Sequence, residues 1–507
     1  MIAGYDVSNV ANLQPSIYRA FGNIELLPWV SAAFTLGHAG VTPLLRSLMN
    51  LGDLKWFQAA TMIIFITGSA VAGAASSVQA LIIGRVLLGI GSSGAYLSIL
   101  VYNVILAKPA EHSRLNSLIG AGFAVGLILG PVVGGAFAQN QNTTWRWAFY
   151  INIPVTAIAM ALNIMLYPTV ALAPSESLLE GLRRIDGIGA TLHVATLVAF
   201  DVACLFSGTV WAWASGSIAA WVIFATLLVL YCLQQYFCWF TNPEQRILPL
   251  RVLSNRIGLL VSIATACAAV GYSITIYYIP LFLVFTRGDG PVQAAVHTLP
   301  FICVYIATAV IAGSLFPVIR RYAIFYFISG LFLVAGSGAI LFIDQTSPLS
   351  RLMGITALIG AALGLSFQTG ATVLTRALPT GLRIDSAVII SLTQNASITT
   401  SLAIAGCIFQ NVGRQHLESA IGKFGFSAAD INQALAGLES PVWAAGSSEA
   451  SRLAVAAVTT ILIQLFYISL AAGCLLLVCA CLMKWEALNS VNPDNQDDHS
   501  KGLHPAA

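Results

Sequence analysis

The chain has 507 residues, of which 8% are charged and 58% are hydrophobic, and its mean hydropathy is +0.84. Soluble proteins carry roughly 25% charged residues, so a soluble domain of this composition could not cover its surface with solvated groups. The net charge of +3 is too small to indicate a nucleic-acid partner. The composition therefore predicts an all-α membrane protein, because a lipid-facing surface needs no charges.

The N-terminal segment predicts a membrane span that is barely long enough to cross. Residues 1–18 contain Asp6 and Pro15, and Met1 is followed directly by an uncharged stretch without a basic leader. We therefore expect no cleavable signal peptide, so insertion relies on the transmembrane helices themselves. Two interpretations of this segment stay open: a shortened first helix, or a true start that lies upstream.

The rest of the chain predicts thirteen complete spans, since a helix needs about 20 apolar residues to cross a ~30 Å hydrocarbon core. Residues 57–84 hold one span and the turn into the next, with a break at Ser76-Ser77. Residues 187–241 are too long for one crossing and divide near Ser207-Gly208 and Ser215-Gly216-Ser217. The other uncharged runs are 26–45, 86–107, 115–145, 147–175, 257–286, 290–319, 322–343, 352–375, 386–413 and 453–483.

The distribution of Lys and Arg predicts the orientation. With the N-terminus inside, fifteen of these residues fall in inner loops and the tail, and seven fall outside. This excess favours both termini in the cytoplasm. The predicted layout is an N-terminal six-helix bundle (1–174), a linker with two central helices (175–248), a C-terminal six-helix bundle (249–484) and a disordered cytoplasmic tail (485–507). Asn142 begins a glycosylation sequon in a predicted outer loop, a signal that short sequences often give by chance.

Charged side chains inside the predicted spans are the first functional signal. Arg85 costs ~2.5–3.5 kcal/mol on insertion scales, so it faces a cavity or a partner unless it extends to the headgroups. Asp6 is a proton carrier, an ion-pair partner or a sign that its segment lies at the surface. If the first helix spans, Asp6 could pair with Arg85, and protonation would break that pair. Asp201, in the central helices, is interpreted as a packing or polar-contact residue.

A glycine-rich segment in the fifth span is the second signal. Glycines four residues apart lie on one helical face and allow a neighbouring backbone to approach closely, and a proline permits a kink. Such a seam suits helices that move against each other, although any static bundle could also contain it. The residues are Gly122, Gly126, Gly130, Pro131, Gly134 and Gly135.

The second half contains polar groups that could line a substrate cavity, namely Tyr277, Tyr278, Gln368 and Gln394. The alternative for each is a hydrogen bond between helices. The three isolated histidines His38, His193 and His297 do not suggest a metal site. The nine cysteines have no spacing typical of a zinc site or a disulfide framework.

With these motifs the chain resembles the fourteen-span drug:proton antiporters of the major facilitator superfamily, especially fungal multidrug and toxin efflux pumps. The glycine segment is similar to the antiporter signature of the fifth span, and Arg85 with Gly89 and Gly91 is similar to the arginine motif of the fourth. The segment 145–154 (WRWAFYINIP) and the segment 286–290 (TRGDG) carry the likeness further. The resemblance covers nearly the whole chain and implies the 6+2+6 major facilitator fold.

The loop after the second span departs from the family pattern. Arg46 and Asn50 stand where the family often has glycine and aspartate, while Asp53 and Lys55 keep some charge. We expect this gate loop to be weakened or rearranged. The apparently missing cytoplasmic half of the first span is the second departure.

The resemblance implies export of a small hydrophobic organic compound, driven by the proton gradient, with no cofactor, no metal and no covalent chemistry. We expect a monomer in the plasma membrane, with a vacuolar or vesicular membrane as the alternative. Two other functions stay open: uptake of a siderophore or similar small molecule on the same fold, and an inactive family member with a truncated first helix. A membrane enzyme would need a cluster of His, Asp or Cys that the sequence does not suggest.

Overall fold

The computed structural model describes residues 1–22, 26–108, 111–139, 144–172, 178–243, 245–435, 440–444 and 449–486. Within these ranges the regular structure is helical. Fourteen long helices are α1 (Ile2–Phe21), α2 (Leu27–Met49), α3 (Leu54–Gly73), α4 (Val78–Leu106), α5 (His112–Gln139), α6 (Trp147–Leu166), α7 (Gly187–Phe206), α8 (Gly216–Phe237), α9 (Arg256–Arg287), α10 (Pro291–Ile319), α11 (Tyr322–Ile340), α12 (Leu349–Ala377), α13 (Arg383–Ile421) and α14 (Glu449–Leu482).

Short helices fill some of the connections: Leu178–Arg183, Leu250–Leu253, Ala428–Leu435 and Pro441–Ala444. Twelve of the long helices, α3 to α14, are long and apolar enough to cross a membrane. The helix α1 has 20 residues and is therefore about 30 Å long. It ends at Gly22, whose left-handed φ of 73° is a conformation that glycine adopts without strain.

The predicted breaks between spans are confirmed, and local polar side chains explain them. Ser77 precedes α4, and its side chain accepts a hydrogen bond of 3.2 Å from the backbone N–H of Ala80. Asp53 caps α3 in the same way, through a 2.8 Å bond from the N–H of Lys55. Such N-caps satisfy the first free N–H groups of a helix. The division of residues 187–241 falls between α7 and α8, as the Ser/Gly segments indicate.

The helices form two groups that share most of their main internal contacts, although α9 packs closely on α14 while α1 has little contact with α6. In the first group α1 packs on α5, α2 on α4, and α3 on α4 and α6. In the second, α9 packs on α13, α10 on α12, and α11 on α12 and α14. Each helix of α1–α6 thus corresponds to the helix at the same place in α9–α14. The groups meet mainly where α2 packs on α13 and α5 on α10.

The central pair α7 and α8 lies beside this seam. The helix α7 packs against α2 of the first group and α13 of the second, while α8 packs mainly against α7. Most of α8 is exposed, with large apolar side chains such as Val222, Ile223 and Val229 on the surface. An apolar surface of this kind suits contact with lipid. The pair therefore contacts both halves of the molecule mainly through α7.

Candidate functional site: a buried charge pair beside a central cavity

Asp6 and Arg85 form an ion pair inside the first group of helices. The Arg85 Nη1 contacts Asp6 Oδ2, and the two side chains are 1% and 0% exposed respectively. The other carboxylate oxygen of Asp6 accepts a hydrogen bond of 3.3 Å from the Asn152 side chain on α6. The structure thus brings together the two intramembrane charges that the sequence singled out.

Further contacts fix the Arg85 guanidinium. Its Nε donates a 3.0 Å hydrogen bond to the carbonyl of Val30, and its carbon lies 5.0 Å from the centre of the Phe34 ring. These contacts join α4 to α2 as well as to α1. Arg85 therefore does not extend to the headgroups in this structure. Removing one partner of such a pair costs roughly 3–5 kcal/mol, because the other charge stays buried without compensation.

A small cavity lies between the two groups of helices, next to this ion pair. It consists of two adjoining compartments of about 50 Å³ each. Arg85 lines the first compartment, together with Thr35, Tyr272 and Tyr277. The second is lined by residues from both halves, including His38, Tyr96, Phe123, Phe367, Gln368, Gln394 and Asn395. Drug-sized sites have roughly 300–1,000 Å³, so the conformation described here is closed around the cavity.

Three of the four predicted cavity residues line these compartments: Tyr277, Gln368 and Gln394. Gln394 also makes a contact between helices, because its Nε2 donates a 2.8 Å hydrogen bond to the carbonyl of Phe367. Tyr278 is buried instead beside Phe409, with ring centres 6.2 Å apart, and it is not among the lining residues. Their role in binding cargo stays a prediction.

Sequence reasoning missed lining residues from the first half, above all His38 and Tyr96. His38 is 4% exposed, and both of its ring nitrogens lack a hydrogen-bond partner in the described part of the chain. Its ring lies 6.2 Å from that of Tyr96. A histidine and a tyrosine within uncharged spans were the available signal, but only the packing shows that they face each other.

The glycine face of α5 packs against α1 within the first half. A side chain at Gly126 would overlap the carbonyl oxygen of Met1, and one at Gly130 would overlap the hydroxyl of Ser8. Gly134 lies against Asn9. Gly122 has open space where a Cβ would be, so it does not belong to this contact. The small side of α5 thus allows α1, the helix that carries Asp6, to approach closely.

The other residues of the predicted signature are Pro131 and Gly135. Pro131 lies inside α5 and is partly buried, and Gly135 is buried. The contact of α5 with the second half involves other residues: Ala124 and Leu127 belong to the core of that half. The glycines therefore join α5 to α1 rather than to the opposite half. A mechanical role for this face stays a prediction.

The gate loop contains a charge bridge between the halves that the sequence did not reveal. Arg46, at the end of α2, contacts Asp385 at the start of α13, with Nε and Nη2 at 2.7 and 2.5 Å from Oδ1. Both side chains are partly exposed, at 17% and 15%. Arg46 stands where the resembled family often has glycine, and its partner is 339 residues away. This contact joins the two halves at the predicted gate loop, and the rearrangement of the gate relative to the family stays a prediction.

The other three predicted gate residues stay on their own side of the seam. Asp53 caps α3, and Lys55 supplies the backbone N–H for that cap. Asn50 ends α2 and is exposed. Among the described residues, Arg46 is the member of these four whose side chain contacts the other half.

Uncharged contacts close the same end of the seam. Asn103 on α4 donates a 2.6 Å hydrogen bond to Asn116 on α5, which donates a 3.1 Å bond to Thr372 on α12. Val388 of α13 is buried in one cluster with Leu45 of α2. On the predicted outer side, the Gln433 side chain donates a 3.3 Å hydrogen bond to Tyr18. The predicted glycosylation residue Asn142 lies outside the described residues.

Comparisons with known proteins agree with this architecture. The sequence model of the Major Facilitator Superfamily matches residues 1–401. The chain is 32% identical to the efflux pump patC of Aspergillus clavatus over 96% of this chain and 88% of the relative. It is 31% identical to the MFS-type transporter patC of Penicillium expansum, over 95% and 89% of the two chains. It is also 31% identical to the efflux pump DEP3 of Fusarium langsethiae, over 94% and 86%.

Solved structures with low sequence identity have the same fold. The proton:xylose symporter XylE, bound to 6-bromo-6-deoxy-D-glucose, aligns with a TM-score of 0.58 at 16% identity, over 96% of this chain and 95% of that one. An auto-inhibited peptide transporter of the POT family aligns with a TM-score of 0.56 at 13% identity, over 97% and 98%. The family model that matches residues 1–401 and the relative that is 32% identical show that the chain belongs to the Major Facilitator Superfamily, and its apolar helices make it a multi-pass membrane protein.

Proposed function

We propose that this transporter exports a small, largely hydrophobic organic compound and uses proton influx as its energy source. Relatives at about 30% identity are named efflux pumps, which supports export as the direction. The cavity between the halves carries this proposal, because it joins aromatic walls to a few amide and hydroxyl groups next to a buried ion pair. Such a lining fits a molecule with an apolar body and few hydrogen-bonding groups.

Asp6 is the proton-binding group in this proposal. Its carboxylate is held by the Arg85 guanidinium and the Asn152 amide, and it is fully buried. Protonation removes its negative charge, which leaves Arg85 without compensation next to the cavity. Because a buried unpaired charge is costly, the pair would separate, and the helices that hold it would move. Proton binding thereby changes which arrangement of the two halves is stable.

The bridge between Arg46 and Asp385 serves as the inner latch of this cycle. It joins α2 to α13, the two helices that carry one of the main contacts between the halves. Transporters of this type alternate by rocking one half against the other around a central site. Opening the cavity toward the predicted cytoplasmic side requires this bridge and the neighbouring Asn116–Thr372 hydrogen bond to break.

The same proposal covers the location, the partners and the rival functions. We propose that the protein is a monomer in the plasma membrane. It transports protons and cargo without catalysing a chemical reaction. An uptake carrier for a siderophore would need a more polar cavity. An inactive remnant would have no reason to keep the buried pair of Asp6 and Arg85, which destabilises a fold unless it is complete.

The test is efflux of a panel of fluorescent hydrophobic compounds from cells that lack their own pumps. We expect the wild type to export at least one compound, and a protonophore to stop this export. Arg85→Ala and Asp6→Asn should lose it, while the control Glu418→Gln, in an exposed ion pair on α13, should retain it. Export that persists with a protonophore would contradict the proton coupling. No gradient-dependent export by a chain shown to reach the cell surface would contradict the proposed function.

A further inference from the structure

The central helix α7 contains a buried carboxyl group, that of Asp201, which has no hydrogen-bond partner among the described residues. Asp201 is 0% exposed, and neither of its carboxyl oxygens has a hydrogen-bond partner among the described residues. The sequence suggested a packing or polar-contact role, but the structure provides no polar contact. Burying an ionised carboxylate without compensation is very costly, so these surroundings favour the neutral form of Asp201.

Asp186, at the start of the same helix, shows what a structural carboxyl looks like in this protein. It accepts hydrogen bonds from the N–H of Gly189 at 2.7 Å and from the side chains of Gln234 and Gln235 at 3.0 and 3.3 Å. The N–H of Ile247 adds another at 3.3 Å. Both carboxylate oxygens of Asp186 thus accept hydrogen bonds. Neither carboxyl oxygen of Asp201 has such a partner among the described residues.

The position of Asp201 places it at the seam between the halves. Val194, seven residues earlier, lies beside Gly40 of α2, and Leu205, four residues later, lies beside Gly406 of α13. Residues at these spacings share one helical face, so Asp201 faces the region where α7 meets both halves. It precedes the end of α7 by five residues and therefore lies about 8 Å below the predicted outer end.

The titratable groups around Asp201 make their contacts with other residues, so they would not compensate a negative charge on its carboxyl group. On α7 itself the nearest are His193, which contacts the carbonyl of Ala39 at 3.2 Å, and the thiol of Cys204. The helix α8 contributes Tyr231, whose ring contacts His193. On α13 the thiol of Cys407 interacts with that of Cys204, and on α2 the titratable groups His38 and Arg46 contact Tyr96 and Asp385 instead.

We propose that Asp201 is a second proton-binding site of this transporter, which exchanges its proton with outer water when α7 separates from α2 or α13. An unpaired polar group costs roughly 1–3 kcal/mol in a buried position, and ionisable residues within a membrane are usually functional. The inference rests on the proposed proton-coupled function. Asp201 would respond to the movement of both halves, because α7 packs against α2 and α13. Asp6 pairs with Arg85 within the first half.

Infrared difference spectroscopy of the full chain in liposomes tests this directly and needs no cargo. At neutral pH we expect a carboxylic-acid carbonyl band that is absent in Asp201→Asn and displaced in Asp201→Glu. Raising the pH on the outer side should bleach this band reversibly. A band that is unaffected by pH, or no band assignable to Asp201, would overturn the proposal.

A transport measurement separates this inference from the proposed function. In cells that export a fluorescent compound, Asp201→Asn should weaken gradient-driven export without abolishing it, and its pH profile should lose one titrating step. Asp6→Asn should abolish the export itself. An Asp201→Asn profile identical to that of the wild type would contradict the second site while leaving the proposed function intact.

Discussion

The two halves of this transporter share a packing pattern but differ in their buried charges. Within the described residues, the buried charged side chains are Asp6, Arg85, Asp186 and Asp201, and all precede the second group of helices. In α9–α14 the buried polar groups are neutral, mainly Ser, Thr, Gln and Tyr side chains. Because the same arrangement of helices holds both sets, the difference lies in the side chains rather than in the scaffold.

Corresponding helices show this division most clearly. The helix α4 contributes Arg85 to the cavity, while its counterpart α12 contributes Phe367 and Gln368. Among the described residues, the first half thus buries the charged side chains of Asp6 and Arg85, and the second half buries only polar groups without a charge. The comparison suggests that proton binding and cargo recognition are divided between the halves. Substitutions in each half test this division.

The largest expected effect is that of Arg85→Ala. It leaves Asp6 buried without its partner, so we expect a loss of roughly 3–5 kcal/mol in stability, together with loss of export. Thermal unfolding in detergent and efflux assays measure the two effects. Arg85→Lys keeps the charge but not the fork of donors that reaches both Val30 and Asp6, so it should retain part of the stability. If Arg85→Ala were as stable and active as the wild type, the ion pair would have no role.

The glycine face offers a matched pair of substitutions on one helix. Gly126→Ala forces a Cβ against the Met1 carbonyl and should destabilise the protein by roughly 1–3 kcal/mol, as overpacking does. Gly122→Ala meets open space and should be neutral or slightly stabilising, because alanine favours helices. Thermal unfolding of both variants checks this. Equal effects of the two would contradict the close contact of α1 with α5.

The bridge between the halves should have a smaller effect, because it is partly exposed. Asp385→Ala and Arg46→Ala should each destabilise the closed inner end by roughly 1 kcal/mol or less. A double-mutant cycle should show that the effects of Asp385→Ala and Arg46→Ala are coupled. The charge reversal that combines Arg46→Asp with Asp385→Arg should restore part of the stability of the closed inner end. Accessibility of a cysteine introduced near the inner end reports the closure. Additive effects in this cycle would mean that the bridge is not a latch.

The smallest effect is expected in the second half of the cavity. Gln368→Ala removes neutral hydrogen-bonding groups and should weaken export of some compounds several-fold while leaving others unchanged, since one hydrogen bond contributes about 0.5–1.5 kcal/mol. The dependence on the proton gradient should stay as in the wild type. A loss of proton coupling in this variant would contradict the division between the halves.

Features that depend on local pattern could be predicted from the sequence. Apolar length located the spans, and the Ser and Gly segments at 76–77 and 207–217 located breaks between them. The rarity of charge within spans singled out Asp6 and Arg85, and with only two such groups in the first half a pairing was a natural expectation. The four-residue spacing of glycines identified a close helix contact.

Features that depend on distant packing could not be predicted. Nothing local marks Asp385 as the partner of Arg46, because a charge near a helix start is ordinary at a membrane surface. The glycine spacing did not reveal that the partner is α1 rather than a helix of the other half. Tyr278 was grouped with Tyr277, but adjacent residues on a helix point in directions about 100° apart, and only Tyr277 lines the cavity. That Asp201 lacks a hydrogen-bond partner among the described residues could likewise be seen only from the packing of the surrounding helices.

The most direct test of the central claim measures proton movement that is driven by cargo. The full chain would be reconstituted in liposomes, and a fluorescent compound that the wild type exports would be applied as a concentration gradient without a proton gradient. With the wild type and with Gln368→Ala we expect protons to move in the direction opposite to the cargo. With Asp6→Asn we expect either cargo movement without proton movement or no cargo movement. Proton movement of wild-type size with Asp6→Asn would contradict the account, because coupling would then not depend on the buried pair of the first half.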